Sequence, residues 1–102
     1  MSIIKVSARS RTASVAGAIA GVIREVGRAE VQAIGAGAVN QAVKAIIIAS
    51  GYLSEEETHV ACLPSFVDIL IDEQERTAIR FVVEAREKMN EEPLELWQSN
   101  TT

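Results

Sequence analysis

The amino-acid sequence predicts a two-layer α/β domain with the element order βαβαββ. Short stretches rich in β-branched residues alternate with stretches in which apolar residues recur at helical spacing, and glycines stand near the boundaries. The chain has 102 residues, which is enough for one domain with a modest core and too few for separate cofactor and substrate domains. At most one functional site is therefore expected.

The first half of the chain predicts a strand, a helix and a second strand. Ile3 to Ser7 alternates apolar and polar residues briefly, which is typical of a short strand. The helix that follows ends at Gly27, and its large apolar residues share one face: Val15, Ile19, Val22, Ile23 and Val26. Ala29 to Ile34 is the second strand, and a strand, helix and strand of this length imply a right-handed parallel crossover.

The second half predicts a helix and two strands. The helix runs from Ala38 to Ser50, closes at Gly51, and is expected to pack through Val39, Val43, Ile46 and Ile47. Residues 58–72 then form a long strand in which Pro64 indicates an edge position, a bend or a bulge. Asp72 to Arg76 is expected to be a polar hairpin connection, and Thr77 to Ala85 the last strand.

Charge is distributed unevenly along the chain. The net charge of −4 combines six Lys/Arg against two acids in residues 1–53 with four against twelve in residues 54–102. The two halves can be ordinary solvated surfaces or can create opposite surface fields. Residues 87–102 have the composition of an acidic C-terminal tail beyond a domain of residues 1–86, and the tail's Leu94, Leu96 and Trp97 could dock on the domain or on a neighbouring subunit.

Several classes of function find no support in the composition. No apolar run reaches the roughly 18 residues that span a bilayer, and Met1 to Ser7 does not resemble a secretory signal, so a cytoplasmic protein without membrane contact is expected. A lone Cys62 and a lone His59 suggest neither disulfide nor metal site. His59 and Cys62 are three positions apart on a predicted strand, so their side chains should point to opposite faces of the sheet. Cys62 is expected to be a small buried hydrophobic residue. We therefore predict no enzyme and no cofactor.

The segment AIGAGAVNQAVKA raises three alternatives for Gly35 and Gly37. They could hold a nucleotide, contact a nucleic-acid backbone, or let the chain turn tightly into the second helix. A dinucleotide-binding turn needs a third glycine where this chain has Asn40, and no GK[ST] sequence is present. A structural turn is therefore favoured over a nucleotide loop.

A stripe of small residues follows the first helix at Ala13, Gly17 and Gly21. Each glycine inside a helix costs roughly 0.5 to 1 kcal/mol relative to alanine, so something is expected to approach this face closely. The neighbouring helix is the favoured partner, ahead of a second subunit or a phosphate backbone.

Arg9, Ser10 and Arg11 form a basic stretch immediately before the first helix. Guanidinium groups beside free backbone N–H groups at a helix start suit phosphate oxygens. Useful affinity for a polynucleotide needs several such contacts, so a dimer would bind better than one protomer.

Three stretches carry a family resemblance: KVSARSRTASVAGAIAGVIREVG, AEVQAIGAGAVNQAVKA and CLPSFVDILIDEQERTAI. Over about residues 3 to 86 the chain closely resembles the stage V sporulation protein S family, which is similar in fold to the Alba chromatin and RNA-binding proteins. The resemblance implies a mixed four-stranded sheet with two helices on one face, self-association as a homodimer or tetramer, and modest binding of DNA or RNA. It also implies a role in sporulation or cell development.

The resemblance also implies which residues bind. Arg9 falls where Alba-like proteins place a lysine that contacts nucleic acid, with Ser10 and Arg11 in support. The matching start of the second helix adds Gly35, Gly37, Asn40 and Lys44, and the hairpin that reaches along DNA adds Arg76. The chain departs from the Alba pattern at two places. It has Gly35 and Gly37 where Alba-like proteins have arginines before the second helix, and its hairpin is acidic. The alternative is a protein-interaction or assembly module without nucleic-acid binding.

Overall fold

The structure, a computed structural model, describes residues 3–87. The elements are β1 (Ile3–Val6), α1 (Thr12–Val26), β2 (Arg28–Ala33), α2 (Ala36–Glu55), β3 (His59–Ile71) and β4 (Gln74–Arg86). The predicted order βαβαββ is confirmed. Residues 88–102, and with them the three apolar residues of the predicted tail, lie outside the described residues.

The strands form one mixed sheet in the order β1-β2-β4-β3. β1 and β2 run parallel, while β4 pairs antiparallel with both β2 and β3. Pro64 lies in β3, which is an edge strand, and the pairing of β3 with β4 continues from His59 to Ile71 without a bulge. The predicted edge position is confirmed by this strand order. An edge strand tolerates proline because the missing N–H donor leaves no central ladder hydrogen bond unmade.

Both helices pack on one face of the sheet over a core rich in alanine. Half of the sixteen residues in the core cluster are alanines, contributed by both helices and β2. The largest fully buried side chains among them are Ile19, Leu53, Val31 and Val83. Small side chains allow the helix backbones to approach each other and the sheet closely, so the layers pack tightly without large side chains. Neither helix within residues 3–87 is long and apolar enough to cross a membrane.

The predicted packing faces of the helices are partly wrong. Val43 and Ile47 of α2 are 41% and 64% exposed, and Val26 of α1 is 64% exposed. The buried face of α2 consists mainly of alanines at helical spacing, namely Ala38, Ala42, Ala45 and Ala49. The prediction followed bulky residues, whereas the close fit of the layers selects the small ones.

Gly51 does not end α2 as predicted. The helix continues to Glu55, and its C-cap is Glu56. The extra turn carries Leu53, which is fully buried. Burying a leucine side chain contributes roughly 1.5 to 3 kcal/mol, which exceeds the helix-interior penalty of a glycine.

The hairpin between β3 and β4 is tighter than predicted. Only Asp72 and Glu73 form the turn, both with positive φ (49° and 64°), as in a type I′ hairpin. β4 therefore begins at Gln74 and contains Arg76. Cys62 is exposed and not buried as predicted, because the edge strand lies at the margin of the helix layer.

The small-residue stripe of α1 does not pack against α2. Gly17 and Gly21 have no atom of residues 3–87 within 4 Å of the position that a Cβ would occupy, and Ala13 is exposed. The two helices instead meet the core through residues such as Ala16 and Ala20. The prediction that the neighbouring helix covers this stripe is therefore wrong.

An exposed ion pair joins the ends of the two helices. The Arg24 guanidinium donates through Nε and Nη2 to the Glu56 carboxylate, with the shortest contact 2.7 Å between Nη2 and Oε2. These hydrogen bonds lower the pKa of Glu56 below its ordinary value of 4.5, since they favour the ionised carboxylate. The pair fixes the C-cap of α2 beside the last turn of α1.

We expect Glu56→Gln to lower the melting temperature slightly at pH 7 and to have progressively less effect as the pH falls below 4.5. A carboxylate whose pKa is lowered by folding stabilises the protein above its unfolded pKa, and this contribution is lost as the pH falls through the folded pKa. Thermal unfolding between pH 3 and pH 7 measures the difference. Glu55→Gln is the matched control, since Glu55 makes no ion pair within residues 3–87. Equal effects of the two variants at pH 7 would contradict the assignment.

Candidate nucleic-acid interface

Two helix starts lie at one edge of the sheet, which we call the loop edge. β1 and β2 are parallel neighbours, and each leads directly into a helix, so the connections 7–11 and 34–35 leave the sheet on the same side. The N-cap residues Arg11 and Gly35 make no side-chain cap hydrogen bond, and neither helix has an acidic residue in its first turn. Uncapped N–H groups and the positive ends of the helix dipoles favour an anion at this edge.

The connection 7–11, called the Arg9 loop, is held by hydrogen bonds between its own serines. The Ser10 amide donates to the Ser7 carbonyl (3.1 Å), and the Ser7 amide donates to the Ser10 hydroxyl (2.9 Å). The Arg9 amide donates to the Ser7 hydroxyl (3.2 Å). Arg9 and Arg11 are exposed, while Ser10 is half-buried. Ser10 therefore shapes the loop, and the two guanidinium groups are the parts that face solvent.

The glycines before α2 have separate structural roles. Gly35 has a φ of 89°, a left-handed conformation that a residue with a Cβ adopts only with strain. Gly37 packs against the Arg9 loop, since a Cβ at this position would lie 2.9 Å from the Cβ of Ala8. The favoured structural turn accounts for both residues, and Gly37 also places the start of α2 directly against the loop.

Asn40 and Lys44 lie on the exposed side of α2 near the loop edge. Lys44 is one turn beyond Gln41, about 4.5 Å further along the helix axis. It is the only charged residue between positions 31 and 54, and residues 3–24 contain four cations and no acid. The segments that build the loop edge therefore carry positive charge alone.

Arg76 lies on the hairpin and pairs with Ile69. The pairing of β2 with β4 ends at Ala33 and Ile79, so the hairpin extends past the loop edge. β3, the other strand of the hairpin, faces the Arg9 loop across a groove of about 450 Å³. Ile69, Leu70 and Ile71 line this groove together with Ser7 and Ala8. Arg76 shares the hairpin with acids on either side of the turn, namely Asp68, Asp72, Glu73 and Glu75.

Sequence reasoning missed two residues of this edge, Lys5 and Gln41. Lys5 is exposed on β1, lines the same groove and stands directly opposite Gln32 of β2. The Gln41 side chain donates through Nε2 to the Ser10 carbonyl at 2.9 Å. The sequence contains a signal that could have placed Gln41 at this edge. Gln41 follows Gly37 by four residues and therefore lies on the same side of α2.

His59 and Cys62, the candidate residues for metal binding or nucleophilic chemistry, do not come together within residues 3–87. No group of three or more His, Cys, Asp or Glu there could hold a metal ion. His59 and Cys62 lie three positions apart on an unbroken strand and face opposite sides of the sheet. Partial burial raises the pKa of the Cys62 thiol, which keeps it protonated and weakly nucleophilic.

The fold and the loop edge together define a small two-layer α/β protein with the Alba-like βαβαββ arrangement. Within that class the chain belongs to the stage V sporulation protein S (SpoVS) family, whose model matches residues 2–86. The match covers every described helix and strand and confirms the resemblance seen in the sequence. It identifies the protein as sporulation-related by family, and this family is not a known enzyme family.

We expect Gly37→Ala to be less stable than Gly51→Ala by about 1 to 2 kcal/mol, because both substitutions gain helix propensity but only the methyl group at position 37 would overlap Ala8 and force the loop away from α2. The double variant Ala8→Gly with Gly37→Ala should recover part of this stability, since it removes the facing methyl group. Denaturant unfolding measures both. Gly51→Ala is the control, because nothing lies within 4 Å of its Cβ position and the helix propensity of alanine should stabilise it. Equal changes in stability for Gly37→Ala and Gly51→Ala would contradict the close contact.

Proposed function

We propose that this protein binds DNA or RNA through the phosphate backbone at the loop edge, without catalysis, as a homo-oligomer. The observation that carries the proposal is the meeting of two uncapped helix starts with Arg9 and Arg11 at an edge whose segments contain no acid. In the cell we expect a cytoplasmic regulator of sporulation or cell development, in keeping with its family.

The proposed contacts divide by chemistry. Arg9 and Arg11 supply charge and can each donate two parallel hydrogen bonds to a phosphate. Gly35 and Gly37 present backbone without side chains, while Asn40 and Lys44 extend the surface along α2. Ser10 supports the loop from within. These residues are spread along an exposed edge, which favours a long polyanion over a single nucleotide.

The affinity is expected to be modest. Contacts with phosphates provide a salt-dependent increment each, and one protomer offers few cations at the loop edge. The hairpin that extends past this edge brings acids, with Arg76 as its only cation between Asp68 and Thr77. Two or more protomers would multiply the contacts without adding residues.

We expect Arg9→Ala and Arg11→Ala each to weaken binding to short single- and double-stranded nucleic acids about tenfold at low salt. Each should also lower the slope of log affinity against log salt by about 0.7 to 0.9 for every phosphate that the variant no longer neutralises. Fluorescence anisotropy over a salt titration measures both quantities. Arg86→Ala is the matched control. Arg86 carries the same charge and is exposed at the end of β4 that lies away from the loop edge.

Two results would contradict this proposal. The first is no binding of any nucleic acid by the unmodified protein at low salt. The second is equal weakening by Arg9→Ala, Arg11→Ala and Arg86→Ala, which would indicate attraction by overall charge and not by the loop edge.

Self-association is supported by an apolar surface on β3. Phe66 and Leu70 are 79% and 73% exposed and, four positions apart, project from the same side of the strand. β3 is also a free edge of thirteen residues within the described sheet, and natural proteins rarely leave such an edge uncovered. The same surface favours the alternative function, a protein-interaction or assembly module.

We expect the double variant Phe66→Ser with Leu70→Ser to weaken self-association at least tenfold, because burial of their exposed apolar area would favour association. Sedimentation velocity over a range of concentrations measures the change. Val26→Ser is the control, since Val26 is also well exposed but lies at the end of α1. An unchanged oligomer would contradict the role of β3. Loss of the oligomer in a protein that never binds nucleic acid would support the assembly module.

A further inference from the structure

Two contacts attach the Arg9 loop to α2, and no other hydrogen bond between described residues joins them. The first is the packing of Ala8 against Gly37, and the second is the hydrogen bond from the Gln41 side chain to the Ser10 carbonyl. The packing contact limits how far the loop can move toward the helix. The hydrogen bond limits how far it can move away.

The hydrogen bond acts at a specific point of the loop. Ser10 already uses its amide and its hydroxyl within the loop, in the bonds with Ser7, and its carbonyl is the group that reaches α2. Since Ser10 lies between Arg9 and Arg11, its peptide groups set the directions in which both guanidinium groups leave the backbone. Gln41 is half-buried, so this bond is partly protected from competing water.

We propose that Gln41 is a positioning residue for nucleic-acid binding, which holds the Arg9 loop so that Arg9 and Arg11 face the same phosphate backbone as the start of α2. This inference rests on the function proposed above and adds a residue that does not itself contact the ligand. Holding the loop in its binding conformation reduces the conformational entropy that binding of a phosphate would otherwise cost. Because few cations are available, the affinity depends strongly on how each one is oriented toward the phosphates.

The test uses Gln41→Met, which retains the length of the side chain and good helix propensity but removes the donor. We expect binding of a short single-stranded oligonucleotide at low salt to weaken about three- to tenfold, the value of one hydrogen bond. In the Arg9→Ala background the same substitution should have much less effect, because Gln41 acts through the loop. Gln74→Ala, an exposed glutamine in the hairpin, should leave binding unchanged.

A second measurement does not need nucleic acid. Hydrogen exchange of the Arg9 and Ser10 amides should accelerate in Gln41→Met, since both amides bond within the loop that Gln41 holds. Gln41→Glu should behave in the same way, because a carboxylate cannot donate to the Ser10 carbonyl. Thermal unfolding verifies that both variants are folded at the temperature of measurement.

The outcomes separate the two proposals. Normal binding by Gln41→Met, or a weakening that is equally large with and without Arg9, would overturn the positioning role while leaving the proposed function intact. Unchanged exchange in the loop would also overturn it. If the unmodified protein binds no nucleic acid, the proposed function fails and the positioning role fails with it. Weakened binding that depends on Arg9, together with faster exchange, would support both.

Discussion

The close packing of alanine-faced helices is the constraint on which the rest of the structure depends. Half of the core cluster is alanine, so the helices lie near the sheet and near each other. A few larger side chains such as Ile19 and Leu53 fill the space that remains. The same tight fit continues at the start of α2, where Gly37 meets Ala8 without room for a methyl group. A close contact outside the core thus also places the Arg9 loop against α2.

The topology converts this packing into an interface. Parallel pairing of β1 and β2, each followed by a helix, brings two helix starts to one edge of the sheet. That edge has positive dipole ends, free N–H groups and, in its segments, cations without acids. Most acids occur instead after Leu53, at the end of α2 and along the hairpin. Within residues 3–87 the acids are therefore concentrated at the end of α2 and along the hairpin, and the hairpin brings some of them to the loop edge.

Local patterns were enough to predict the element order, because strand-like and helix-like periods alternate clearly and Gly27 ends α1 as expected. Local patterns failed where contacts between distant parts of the chain determine a helix end or a buried face. Gly51 remains inside α2 because Leu53 gains burial beyond it, and Val43 is exposed because alanines form the buried face. At the loop edge, Arg9 and Gly35 could be proposed from residue type, since charge and turn chemistry are local. The hydrogen bond of Gln41 could not be predicted, because its partner lies 31 positions away in the chain.

The small number of cations makes geometry more important than total charge. A protein of net charge −4 is not drawn to a polyanion by its overall field, so attraction has to come from one local surface. In the proposed function Arg9, Arg11 and Lys44 would act on a backbone whose phosphates are regularly spaced, and each misdirected side chain would remove a large fraction of the available contacts. A rigid loop edge therefore suits this composition better than a flexible basic tail would. Repetition of the edge in the proposed oligomer would add contacts at fixed distances, and the apolar surface of β3 would then contribute to the strength of the proposed binding.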